Sequence, residues 1–256
     1  MSEFTGHAVG TFCWPELATT DQKGGAAFYG ALFGWDVDEQ PIGPSDTYTM
    51  FKMRGLEVAA ASTLQPQQRE QGVPPHWNAY VTVANADATA ARARELGGTV
   101  LAPPFDVMDA GRMAVLQDPT GAVVSIWQPG QHIGAKILRE PGALGWTELA
   151  TSDTAAAEAF YTRLFGWTAR KGGEYTEFLV GDTPDAGMLK LEAEWNMPPC
   201  WMPYFQVLDC DGAAARAKQL GGHVKMPPKD IEHVGRIAML FDPQGAMFYV
   251  ITLAHR

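Results

Sequence analysis

Basic residues are in short supply. Nineteen lysines and arginines stand against 29 aspartates and glutamates, a net charge of -10. Binding the phosphates of a nucleic acid requires a basic surface, so this balance argues against such a partner. Cysteine is scarcer still. Cys13, Cys200 and Cys210 are odd in number and show no CxxC spacing, so neither a disulfide framework nor a zinc knuckle is indicated. No apolar run reaches the roughly 20 residues that cross a bilayer, and the stretch Met1 to Gly6 lacks the basic and apolar regions of a secretory signal. These absences lead to the expectation of a cytoplasmic protein that meets neither membrane nor nucleic acid. Its expected partner is a small molecule.

What is present is a repeat. Trp14-Pro-Glu16-Leu-Ala-Thr-Thr-Asp21, followed by Phe28-Tyr29 and Leu32-Phe33-Gly34-Trp35, returns as Trp146-Thr-Glu148-Leu-Ala-Thr-Ser-Asp153, followed by Phe160-Tyr161 and Leu164-Phe165-Gly166-Trp167. Leu96-Gly97-Gly98, Pro103-Pro104, Gly111-Arg112 and Asp118-Pro119-Thr-Gly121 recur as Leu220-Gly221-Gly222, Pro227-Pro228, Gly235-Arg236 and Asp242-Pro243-Gln-Gly245. A repeat of half the chain is too long for a solenoid unit and marks two duplicated domains. The 256 residues, 46% hydrophobic, suffice for two such cores. The boundaries read as 1–130 and 142–256, joined by a linker over 131–141.

Local patterns predict the elements. A strand spans 10–18, and a helix capped by Thr20 or Asp21 runs over 21–33 and stops at Gly34. Short strands follow near 35–39, 46–53 and 56–63, and 64–75 reads as a Gln- and Pro-rich loop. A second unit has a strand over 76–83, a helix over 86–96 and strands near 99–102, 112–117 and 122–128. The Asp118-Pro-Thr-Gly121 turn joins the last two. Each half is therefore two strand–helix–three-strand modules, and the second half repeats the scheme from Trp146 to Thr252. The fold class is α+β: two tandem domains, each of two βαβββ modules curved into an open barrel.

Period-2 alternation sorts the strand faces. Trp77, Ala79, Val81 and Val83 form the face under the helix, which leaves His76, Asn78, Tyr80 and Thr82 on a mixed polar and aromatic face suited to a ligand crevice. Trp14 and Glu16 share a face of the first strand, and Ser125 and Trp127 share one on the last. In the second half the corresponding crevice set is Trp146 and Glu148, then Cys200, Met202 and Tyr204, then Met247, Tyr249 and Ile251.

These motifs resemble the vicinal oxygen chelate superfamily, which includes glyoxalase I, extradiol dioxygenases and bleomycin-resistance proteins. The resemblance covers nearly the whole chain, and the Trp-x-Glu-Leu of both copies is similar to two-domain members of glyoxalase-like or hydroxylase type. It implies metal ligands, typically His, Gln or Glu, on the crevice faces. Seven residues back from Asp21 and Asp153 the implied positions hold Trp14 and Trp146. Seven back from Asn85 and Asp209 they hold Asn78 and Met202, and seven beyond Asp118 and Asp242 they hold Ser125 and Tyr249. Trp, Met and Ser are poor ligands for a divalent first-row metal. The expectation is therefore no metal and no cofactor. The alternative is one displaced divalent ion held by Glu16 and His76, whose shifts along antiparallel strands go the same way in space.

Glu16 and Glu148 are the strongest candidates, because a carboxylate on a crevice face is costly to bury without a partner. Each is a general base or a ligand-hydroxyl acceptor, or else a structural tie between modules. Trp14, Tyr80 and Trp127, with Asn78 and Ser125, line the first crevice. Trp146, Met202, Tyr204 and Tyr249 line a drier second one. His76 is a candidate base or a histidine bonded at a strand start. Arg112, Arg236, Phe28-Tyr29 and Phe160-Tyr161 read as scaffold. The leading function is metal-free binding of a small aromatic molecule, which alone would serve sequestration. The alternative is a lyase, isomerase or oxygenase using Glu16 and His76. The halves should pack as a fused pseudo-dimer that makes the chain a monomer.

Overall fold

The computed structural model describes residues 3–42 and 47–254. The first half contains β1 (Phe12–Thr19), α1 (Gln22–Phe33), β2 (Asp36–Pro41), β3 (Thr47–Met53) and β4 (Leu56–Thr63), then α2 (Pro66–Glu70). Its second module contains β5 (His76–Thr82), α3 (Ala86–Glu95), β6 (Thr99–Val107), β7 (Gly111–Gln117) and β8 (Val123–Pro129). Residue 46, placed in a strand on sequence grounds, lies outside the described residues. Asp21 is the cap of α1, accepting from the Gly24 N–H, and Gly34 closes the helix in the left-handed region at φ 73°. One expectation needs correction: part of the 64–75 loop is the short helix α2. Pro66 suits its first turn, and Gln65 and Gln68 cap each other's backbone.

The second half repeats the plan with β9 (Leu144–Thr151), α4 (Thr154–Phe165), β10 (Thr168–Gly172), β11 (Tyr175–Val180), β12 (Thr183–Lys190), β13 (Cys200–Gln206), α5 (Cys210–Gln219), β14 (His223–Ile231), β15 (Gly235–Phe241) and β16 (Met247–Leu253). Each half forms one eight-stranded open sheet, in the order β2-β3-β4-β1-β5-β8-β7-β6 and its counterpart β10-β11-β12-β9-β13-β16-β15-β14. The first strands of the two modules sit side by side at the centre, antiparallel, with Glu16 opposite Asn78 and Glu148 opposite Met202. Each first strand also pairs in parallel with the last strand of its own module.

The helix-bearing faces of the two sheets meet. Helix α1 packs on α5, α3 on α4, and β5 on β13. Fully buried Tyr29 donates to Asp242 Oδ2 of the other half at 3.1 Å and accepts from Trp77 Nε1 at 3.0 Å. Its twin Tyr161 accepts from Trp201 Nε1 at 2.8 Å. Phe28 closes on Gly222, and Phe160 on Gly98, so tightly that a Cβ at either glycine would lie within 3.0 Å of the facing ring. Trp35 Nε1 reaches Gly142 O at 2.6 Å and Trp167 Nε1 reaches Gly10 O at 2.7 Å, each across the boundary between halves. The repeated Phe-Tyr and Leu-Phe-Gly-Trp motifs thus build a shared core. The opposite, concave faces of the sheets are left to form two crevices. Arg112 and Arg236 are scaffold: Arg112 spans Asp87 and Asp106, and Arg236 spans Asp211 and Asp230.

Candidate functional site

Glu16 stands at the centre of the first crevice. Its Oε2 accepts from the Tyr48 hydroxyl at 2.9 Å and the Tyr80 hydroxyl at 3.2 Å, and its Oε1 accepts from Ser62 Oγ at 2.8 Å. Trp14 Nε1 donates to the Tyr48 oxygen at 3.4 Å. The sheet order makes this possible: β4 and β5 flank β1, and β3 lies beyond β4. Burial raises the Glu16 carboxyl above its ordinary value, while the three hydroxyls pull the other way. The same burial, with the Glu16 charge, pushes Tyr48 and Tyr80 well up, so both remain neutral donors.

The second crevice carries a twin. Tyr175 and Tyr204 donate to the two oxygens of Glu148 at 2.8 and 2.6 Å, and Trp146 Nε1 donates to the Tyr175 oxygen at 3.0 Å. The surroundings differ. Leu189 replaces Ser62, Met202 replaces Asn78, and Tyr249 replaces Ser125 and stacks on Tyr204 with ring centroids 4.3 Å apart. These residues form an apolar cluster with Met226, Met239 and Met247. Glu148 is 7% exposed, whereas Glu16 is only half-buried. Burial raises the Glu148 carboxyl and lifts the Cys200 thiol to about 12, so Cys200 is an inert, protonated group.

The remaining candidates fall as follows. Asn78 is half-buried directly opposite Glu16. Ser125 pairs with Tyr80 across β5 and β8, and its hydroxyl is buried without a partner. Trp127 is buried, with Nε1 donating to His132 O at 2.8 Å. The His132 ring meets Trp14 edge-on at 4.7 Å, so the segment after β8 covers that end of the crevice. His76 lies opposite Ala18, and its Nδ1 is bonded to Pro74 O at 2.8 Å. It makes no hydrogen bond to Glu16, whose oxygens are held by hydroxyls, but it lies near enough for its charge to help lower the Glu16 carboxyl. Tyr48, Ser62 and Tyr175 were not among the sequence candidates. The shared pattern Tyr-Thr-x-Phe at 48–51 and 175–178 is the signal that could have found the tyrosines.

A divalent metal does not fit this donor set. Glu16 is surrounded by hydroxyl donors, Trp14 and Asn78, and no group of three or more His, Cys, Asp or Glu among the described residues could hold an ion. Glu16 and His76 alone are two ligands, an incomplete set for a divalent first-row ion.

Residues 16–127 match the glyoxalase-like domain family, and residues 143–250 match the glyoxalase/bleomycin resistance protein/dioxygenase superfamily. A Mycobacterium tuberculosis protein with the provisional name glyoxylase CFP32 is 42% identical over 99% of both chains. The chain belongs to the vicinal oxygen chelate superfamily. A second relative, the anthracycline biosynthesis protein DauV of a Streptomyces species, is 37% identical over 97% of this chain and 95% of its own. Among solved structures, the Mn(II)-bound glyoxalase of Novosphingobium aromaticivorans overlays with a TM-score of 0.67 at 14% identity, covering 98% of this chain and 83% of that one. The 2,3-dioxygenase LapB of Pseudomonas sp. KL28 gives 0.67 at 12% identity, with 97% and 94% covered. These two likenesses concern the fold. No helix among the described residues is long and apolar enough to cross a membrane.

Proposed function

We propose that the first crevice binds a small aromatic molecule through a hydrogen bond to Glu16, with no metal ion taking part. The observation that carries this reading is the contrast between the twin glutamates. Both are held by paired tyrosines, yet Glu16 remains half-buried beside Asn78, Ser62 and His76, while Glu148 is closed in by methionines and Tyr249. A carboxylate whose Oε1 keeps one lone pair free can accept from a ligand hydroxyl or ammonium while Trp14 and Tyr80 pack on its apolar part. The name of the Streptomyces relative supports a flat, hydroxylated ring system as the ligand class. One chain supplies both crevices and the core between them, so the working unit in this reading is a monomer. A mass of one chain by light scattering checks that.

The test is a tryptophan-fluorescence titration with two probes, catechol and 1,4-dihydroxyanthraquinone. Glu16→Gln is expected to weaken both by about 1–3 kcal/mol, the scale of a hydrogen bond to a charged group, while Glu148→Gln leaves them unchanged. Equal losses in the two variants, or none in Glu16→Gln, would overturn the assignment to the first crevice. About one metal per chain by elemental analysis, lost in Glu16→Ala, would overturn the metal-free part.

A further inference from the structure

The outer strands of the two halves share their prolines and their Gly-Arg hairpins but differ in what they show to solvent. Leu101, Phe105 and Met108 of the first half are exposed, Phe105 to 45%. The corresponding positions of the second half hold the exposed Lys225, Lys229 and Glu232. A surface strand ordinarily resembles the second copy, with charges that blunt a sheet edge. The first copy keeps large apolar side chains in that place.

The register shows where Phe105 belongs. It pairs with Met113 on β7, and Met113 pairs with Trp127 on β8. Directly paired residues share a face of the sheet, so the three make one row. That row adjoins the polar centre of the crevice, because the Tyr80 hydroxyl lies 4.0 Å from Met113 Sδ and 3.2 Å from Glu16. It then runs outward to Phe105 on β6, the last strand of the sheet. In the second half the same row reads Lys229, Ile237 and Ile251. It has lost both aromatics and ends in a charge.

We infer that Phe105 and Met113, backed by the buried Trp127, form a shelf for the outer rings of a fused aromatic ligand whose polar end lies at Glu16. This inference rests on the reading of the first crevice proposed above and adds the size class of the ligand. Two strand spacings separate Phe105 from Trp127, about 10 Å. That span accommodates a fused ring system, and a single ring held at Glu16 falls short of Phe105. Met113 gives the shelf a polarizable, adaptable middle against which a ring edge packs well. Phe105 is then the specificity residue at the mouth, and its replacement by lysine in the second half removes the aromatic contact there.

The experiment copies the second half into the first. Phe105→Lys places at an exposed site the residue that the duplicate already carries in the same strand, and Phe105→Tyr keeps the ring. Binding of 1,4-dihydroxyanthraquinone and of catechol is read by fluorescence titration in both variants and in Glu16→Gln. Phe105→Lys is expected to weaken the three-ring probe about fivefold, the scale of one aromatic contact, and to leave catechol unchanged. Phe105→Tyr should bind both as wild type does. If Glu16→Gln weakens both probes but Phe105→Lys affects neither, or affects both equally, the shelf is refuted and the Glu16 reading stands. If neither probe binds, or Glu16→Gln changes neither, both readings fall.

Discussion

Tyr29→Phe tests how the two halves are held together. The side chain is fully buried, and its ring packs on Phe28, Trp35, Trp77 and Phe248. Phenylalanine keeps those ring contacts and removes only the hydroxyl. That oxygen donates to Asp242 Oδ2 and accepts from Trp77 Nε1. Losing both bonds costs about 1 kcal/mol each, and the indole N–H left buried without an acceptor adds about 1–2 kcal/mol, giving roughly 3–4 kcal/mol in all. Tyr161→Phe is the matching test in the other half. Tyr161 accepts from Trp201, and its hydroxyl faces the Asp118 carboxylate of the first half, as Tyr29 faces Asp242. The same accounting gives it a comparable cost, roughly 3–4 kcal/mol. Urea unfolding monitored by circular dichroism measures both, with the midpoint shifting at constant slope. A loss below about 0.5 kcal/mol in either variant would refute the assignment of these hydroxyls as ties between the halves.

Two further outcomes follow from burial and packing. Glu148 has a carboxyl raised by burial, so the folded protein holds its proton more tightly than the unfolded chain does. Its contribution to stability is full below the unfolded carboxyl value and falls as pH rises through the raised one. Glu148→Gln should therefore gain stability relative to wild type as pH is raised from about 4 to 7, and a pH-independent difference in denaturant midpoints would refute this. Gly98→Ala places a methyl 2.8 Å from the Phe160 ring and 2.9 Å from Gln117 O. It should lower stability by about 1–3 kcal/mol, as overpacking does, and a thermal midpoint equal to that of Gly6→Ala, where nothing lies nearby, would contradict it.

The architecture was legible because duplication marks its own landmarks. Asp21, Gly34 and the Asp-Pro-x-Gly turns have local reasons to be where they are, and each appears twice. The pairing of Trp14 with Glu16, and of Asn78 with Tyr80, followed from strand alternation alone. Tyr48, Ser62 and Tyr175 were hidden because they reach the glutamates only through the sheet order, from strands that the chain visits 30 or more residues away in the case of Tyr48 and Ser62. His76 looked like a partner of Glu16 on spacing. Its Nδ1 is bonded to the nearby Pro74 carbonyl and Glu16 takes its hydrogen bonds from hydroxyls, contacts that spacing does not register. The role of Phe28 and Tyr29 as core was readable from their apolarity, but their partners Gly222 and Asp242 belong to the other half.

The joining of helix-bearing faces divides labour within every strand. One side of each sheet is tied by tyrosine, tryptophan and aspartate to the other half, and any change there is felt by both. The other side faces the crevice, covered at one end in the first half by the segment after β8. A substitution on it leaves the shared core untouched: Asn78, Ser125 and Trp127 of the first half correspond to Met202, Tyr249 and Ile251 of the second, while the helix motifs are the same in both. A fused pair of this kind can keep one crevice in use while the other drifts toward a packed interior, because the partnership that holds the molecule together is made elsewhere.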